Sequence, residues 1–162
     1  HFFLGTETSR MFKLSIAILM VISVFPVNKA DCSNHCEKGW FRYESNCYFF
    51  SESTTTFKNA MVSCSNMGGA VLELQNKPEE DWLNLHSHIR GYHSGVWLGV
   101  TDVQIENHFV ALSNGREPNY IHWAKQEPNN IAGEEHCALY WLATKAWHDG
   151  SCSRKAHYVC KK

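Results

Sequence analysis

The run Gln126-Glu127-Pro128-Asn129-Asn130 sets a carboxylate and side-chain amides around a proline, and two more acids follow at Glu134 and Glu135. Cys137 closes the segment, and Trp147-His148-Asp149 precedes Cys152. A few polar residues around one proline would by themselves be a surface turn. Bracketed by cysteines and followed by a second acid-bearing motif, they read as oxygen ligands gathered on a stapled loop. Hard oxygen donors on irregular backbone suit calcium better than other common ions.

Other polar groupings have plainer readings. His86-x-His88 and His93 resemble zinc ligands in type, but residues two apart on a helix do not share a face. His148-Asp149-Gly150-Ser151 holds triad residue types, yet adjacent residues cannot supply triad geometry, so catalysis is not expected. Trp97, Trp123, Trp141 and Trp147 sit in strand and loop patterns and read mostly as core, not as a sugar-stacking platform; Ile131 and Tyr140 fall nearer the acid-rich loop. Glu79-Glu80-Asp81 and Lys161-Lys162 read as solvated faces and ends, with Glu80 and Asp81 as first-turn helix acids favoured by the dipole.

The elements that must position the loop are short. Trp40-Phe41-Arg42-Tyr43 and Cys47-Tyr48-Phe49-Phe50 flank the polar Glu44-Ser45-Asn46, a hairpin pattern. Thr54-Thr55-Thr56 offers an N-cap to a helix over 57–67, with Phe57, Met61, Cys64 and Met67 as its apolar stripe and Gly68-Gly69 as its stop. A short strand is expected over 70–74. Asn76-Lys77-Pro78-Glu79 then starts a second helix whose apolar face is Trp82, Leu85 and Ile89, ended by Gly91. Val96-Trp97-Leu98-Gly99-Val100 alternates little and predicts a strand buried on both faces. From Thr101 to Glu135 the chain is poor in apolar residues, with a turn signal at Ser113-Asn114-Gly115. So long a stretch inside a compact domain reads as functional. Residues 137–142 and 156–160 close the chain as strands.

The whole chain has 162 residues, seven cysteines and a formal net charge of −1, which suits one domain and makes no case for nucleic acid or an anionic membrane as partner. Met11 to Ala30 reads as a signal peptide: Lys13 gives a positive start, Leu14 to Val24 an apolar core too short to span a bilayer, and Ala30 a small residue for cleavage. Residues 1–10 precede Met11 and read as untranslated or cloning-derived sequence. Residues 31–162 are then the domain, secreted to the extracellular space, where cysteines pair. Counting alone leaves the pairing open. Cys36 and Cys47 flank one short segment, Cys137 and Cys152 another, and a bond from Cys64 to Cys160 would close a loop of roughly a hundred residues, worth ~4–5 kcal/mol in the chain-entropy model. Cys32 is the odd cysteine, on an N-terminal arm where an interchain bond would join two copies. No Asn-x-Ser/Thr sequon is present.

Taken in order, the cysteine-bearing hairpin, the helix with Cys64, Trp97-Leu98-Gly99-Val100, Glu127-Pro128-Asn129, Cys137, Trp147-His148-Asp149, Cys152 and Cys160 resemble the C-type lectin domain from about Cys36 to Cys160. The resemblance implies an α+β fold, two helices packed on short antiparallel sheets with a long loop region. It implies disulfides Cys36–Cys47, Cys64–Cys160 and Cys137–Cys152. It implies a primary calcium site at Glu127, Asn129, Glu135 and Asp149, with a cis bond before Pro128, and the same residues plus His148 as carbohydrate ligands. Within the family Glu-Pro-Asn goes with mannose, N-acetylglucosamine or fucose type sugars. The chemistry is coherent: three carboxylates repel one another until a divalent cation joins them, and vicinal hydroxyls can replace calcium-bound water while glutamates accept and asparagine amides donate.

Two departures matter. The family usually has asparagine where this chain has His148, and calcium accepts imidazole nitrogen poorly. At a second, auxiliary calcium site, Asp102 and Glu106 match two carboxylates, Asn130 stands where aspartate is common, and His136 replaces another acid. The expected function is calcium-dependent binding of mannose-type glycans in innate defence, without enzymatic activity. The rival is a calcium-independent protein-binding module on the same fold, toxin-like or antifreeze-like.

Overall fold

The computed structural model describes residues 35–162. The segment read as a signal peptide, the residues before it and Cys32 lie outside the described residues. Aromatic-rich strands β1 (Phe41–Tyr43) and β2 (Asn46–Phe50) form the N-terminal hairpin. Helix α1 spans Phe57–Asn66; the Thr56 side chain accepts from the Asn59 N–H, as the Thr54–Thr56 run predicts. Its end is a Schellman motif. Gly68, at φ 71°, donates to Ser65 O, while Gly69 donates to Cys64 O.

Strand β3 is only Ala70–Val71 and leads to helix α2, Lys77–Ile89, capped by the Asn76 side chain on the Glu79 N–H. Strand β4 (Val96–Thr101) is buried at every residue, as its unbroken apolar run predicts. The following loops hold β5 (Val110–Ala111) and a short 3-10 turn at Ile131–Gly133. Strands β6 (Cys137–Trp141), β7 (Ala146–Gly150) and β8 (His157–Lys161) complete the chain.

The strand order is β1-β2-β8-β4-β6-β7, with β3 beside β8 and β5 beside β4. One pairing corrects the expectation of purely antiparallel sheets: β4 and β8 run parallel, Val96 against His157 and Trp97 against Tyr158. Gly99 permits the tight centre of this arrangement. Its N–H donates to Leu72 O at 2.7 Å, and a Cβ there would lie 2.8 Å from Val71 O. Disulfides join Cys36–Cys47, Cys64–Cys160 and Cys137–Cys152, the pairing the resemblance implies. They pin α1 to β8 and the long loop region to the end of β7.

The helices differ from the periodicity reading. In α1 the buried face is Phe57, Ala60 and Cys64, while Met61 is exposed. In α2, Leu85 and Ile89 are 56% and 69% exposed, and the buried residues are Glu79, Glu80, Leu83 and Ser87. These two acids are not solvated first-turn residues. Glu79 accepts from Tyr48 Oη (2.5 Å), Gln75 N (2.7 Å) and Lys161 Nζ (2.7 Å). Glu80, fully buried, meets His122 Nδ1 at 2.9 Å and accepts from Trp147 Nε1 at 3.2 Å, with Lys77 Nζ at 3.6 Å. Partners far along the chain compensate the desolvation of both carboxylates. Trp97 and Trp147 are core, as expected.

Candidate functional site

Asp149 sits near the end of β7, its backbone opposite Ala138 on β6. The loop before the 3-10 turn runs alongside this strand, with Ala124 N donating to Trp147 O and Trp147 N to His122 O. Glu80 therefore braces the site from below, since it holds both His122 and Trp147.

The acids are wired to loop amides. Asn129 N and Asn130 N donate to the two oxygens of Asp149 at 3.1 and 2.7 Å. Ile131 N lies 3.0 Å from Glu135 Oε2 and 3.2 Å from Asn129 Oδ1, and Glu135 N donates to Asn130 Oδ1 at 3.0 Å. These bonds fix where the side chains stand before any ligand arrives. Asn130 takes the left-handed conformation (φ 42°), and the Glu127–Pro128 peptide is cis. The residues Glu127, Asn129, Glu135, His148 and Asp149 line one cavity of about 170 Å³, with Leu139, Trp141, Arg154 and Ile131.

Glu127 is the unsatisfied member. Its side chain is 10% exposed, and Oε2 is buried with no hydrogen-bond partner. Burial first, then the hydrogen-bonding and charge of Asp149 and the charge of Glu135, push its carboxyl up to about 7. His148 Nδ1 lies 2.8 Å from Glu127 Oε1, and Thr144 Oγ1 lies 2.8 Å from His148 Nε2. Burial holds His148 below the ordinary imidazole range although Asp149 and Glu135 pull the other way. Burial thus disfavours the charged ring at the contact with Glu127, and the ring is held between Glu127 Oε1 on one nitrogen and Thr144 Oγ1 on the other.

The donor set fits a hard divalent ion. Glu127, Glu135, Asp149 and Asn129 line the cavity and offer oxygen donors, and Glu127 Oε2 lacks the partner a buried oxygen needs, although the ligand atoms of the three acids are not all within 4.8 Å of one another. His148 contributes nitrogen and covers Glu127 Oε1.

The auxiliary residues lie in a second group. Among the described residues, one trio of His, Cys, Asp or Glu side chains brings ligand atoms within 4.8 Å of one another, and it is Asp102, Glu106 and His136. The hydrogen bonds of Asn130 run instead to Asp149 and Glu135. The sequence reading missed Thr144, which orients His148, and the wall formed by Trp141 and Arg154, whose guanidinium lies 4.6 Å from the Trp141 ring centre. No spacing rule marks these; the β6–β7 turn brings Thr144 back onto the strand. Tyr140, read as near the site, is core.

Known proteins match this architecture. Residues 53–162 match the family model described as Lectin C-type domain. A perlucin-like protein of Mytilus galloprovincialis is 27% identical over 157 residues, covering 93% of this chain and all of the relative. CD209 antigen-like protein A of Mus musculus is 31% identical over 129 residues, covering 78% of this chain and 52% of the relative. The chain thus spans the mussel protein whole and about half of the mouse one. The carbohydrate-recognition domain of the mouse scavenger receptor C-type lectin superposes with a TM-score of 0.70 at 26% identity, over 78% of this chain and 95% of that one.

Proposed function

The chain belongs to the C-type lectin family, a family of non-enzymatic binding domains, and we propose that it binds glycans with mannose-type vicinal hydroxyls through a calcium ion. Glu127, Asn129, Glu135 and Asp149 would hold the ion. The single observation that carries this reading is the buried, unpartnered Oε2 of Glu127 in a cavity lined by the other three. When bound, calcium supplies a charge that offsets three clustered carboxylates and offers coordination positions to sugar hydroxyls. The chain's own residues do the rest. Asp149 holds the Asn129–Asn130 backbone in place. Glu127 and Glu135 accept from hydroxyls, the Asn129 amide donates, and His148, whose charged form burial disfavours, donates to a hydroxyl once released from Glu127. The three disulfides support an extracellular setting, and recognition of glycans on microbial surfaces suits a secreted domain of this kind. Among the described residues no helix is long and apolar enough to cross a membrane.

Retention on mannose-agarose in calcium, with release by a chelator, is the expected behaviour. Passage through mannose, fucose and N-acetylglucosamine supports without delay in millimolar calcium would reject it. One observation favours the rival, calcium-independent protein-binding reading: His148 Nδ1 already occupies Glu127 Oε1. That reading requires ligand capture that persists in chelator.

A further inference from the structure

We propose that Asp102, Glu106 and His136 form a separate metal centre suited to zinc or a similar nitrogen-accepting divalent ion, and not to calcium. This does not rest on the sugar-binding reading. His136 Nδ1 lies 3.2 Å from Asp102 Oδ1 and 3.4 Å from Glu106 Oε2. Two ligands on a tetrahedral zinc with bonds of ~2.0–2.1 Å are about 3.3–3.4 Å apart. The donor atoms thus stand at nearly the separation such an ion requires. Imidazole nitrogen suits zinc and copper, whereas calcium seeks about six to eight oxygens. The trio offers few oxygens, and Asn130, the further oxygen expected here, bonds within the other cluster.

Charge and rigidity point the same way. Asp102 is 1% exposed, so water does not solvate its carboxylate, and with Glu106 it places two negative charges against one imidazole. A divalent cation balances the pair with the ring neutral. The scaffold is set in advance. Asp102 N and Thr101 Oγ1 both donate to His136 O, at 3.2 and 2.6 Å. Asn107 N donates to Asp102 Oδ2 at 2.8 Å, shaping the loop that carries Glu106. Cys137, next to His136, is tied to Cys152. Three protein ligands leave a fourth position for water.

An imidazolium bridging two carboxylates has the same distances but takes up no metal, so zinc binding separates the two. Zinc titrated calorimetrically into the protein in excess calcium is expected to bind at one equivalent. His136→Ala is expected to weaken that binding by at least about tenfold. Glu106→Gln, at a position 43% exposed and harmless to the core, is expected to weaken it in the same direction. His136→Asp is expected to lose zinc and take up one more calcium than the parent protein. No zinc uptake by the parent, or unchanged zinc affinity in both His136→Ala and Glu106→Gln, overturns the proposal.

Discussion

Two sets of buried carboxylates divide this domain. Under helix α2, Glu79 and Glu80 have every oxygen engaged, by tyrosine, tryptophan, lysine, histidine and a backbone amide. In the loop cavity, Glu127 keeps one oxygen buried and unpartnered, beside Asp149 and Glu135. Both sets lost water on folding. The first recovered it from the protein, and the fold is built on that recovery. In the second, loop amides satisfy Asp149 and donate to Glu135, but Oε2 of Glu127 is left without a partner and its carboxyl is pushed up to about 7. A structural acid is one the chain satisfies; a binding acid is one it leaves for an external cation. Asp102 and Glu106 lie between these limits, sharing one imidazole.

The largest effect that would break this contrast is on stability. Glu80→Ala strands His122 and Trp147 Nε1 and is expected to cost about 3–5 kcal/mol, read from the denaturation midpoint. A loss no larger than that of an exposed control such as Asp81→Ala would remove Glu80 from the structural set. Glu127→Gln should act the other way round. Calcium affinity falls by more than about a hundredfold, while stability measured in chelator stays level or rises, because a buried charge is gone.

The pH response sharpens the same point. With Glu127 at about 7 in the calcium-free fold, the folded chain binds this proton more tightly than the unfolded chain, whose carboxyl titrates in the ordinary range. Stability without calcium therefore gains a contribution as pH falls through 7, and loses it as pH rises. Calcium must displace the proton, so its affinity at pH 6 should be about tenfold weaker than at pH 8. A calcium affinity flat across that range would place Glu127 outside the ion's ligands. The smallest expected change is at His148. His148→Asn frees Glu127 Oε1 and adds an amide oxygen, and should tighten calcium by up to about tenfold. Unchanged affinity would mean that the ring does not compete with the metal.

Much of this was legible in the sequence. Both helix caps, the hairpin and the buried run at 96–100 rest on local chemistry, which a sequence exposes directly, whereas the cysteine pairing comes from the family resemblance. The faces of the helices were not legible. Periodicity assigns Leu85 and Ile89 to the core and Glu80 to solvent, because it weighs side chains by polarity alone. Glu80 is buried because Trp147 and His122, 67 and 42 residues away, reach it. The parallel register of β4 and β8 is likewise a long-range fact. At the site, Glu127, Asn129, Glu135, His148 and Asp149 do meet in one cavity. What residue types could not say is that His148 would rest on Glu127 itself, held there by Thr144.

The central claim is that calcium and sugar share the cavity around Glu127, so each should strengthen the other by the same factor. Calorimetric titration of calcium with and without saturating methyl mannoside, paired with titration of the sugar with and without calcium, measures both halves. The account predicts tighter calcium binding in sugar, no measurable sugar binding in chelator, and loss of both in Glu127→Gln. Sugar binding of equal strength with and without calcium would contradict it.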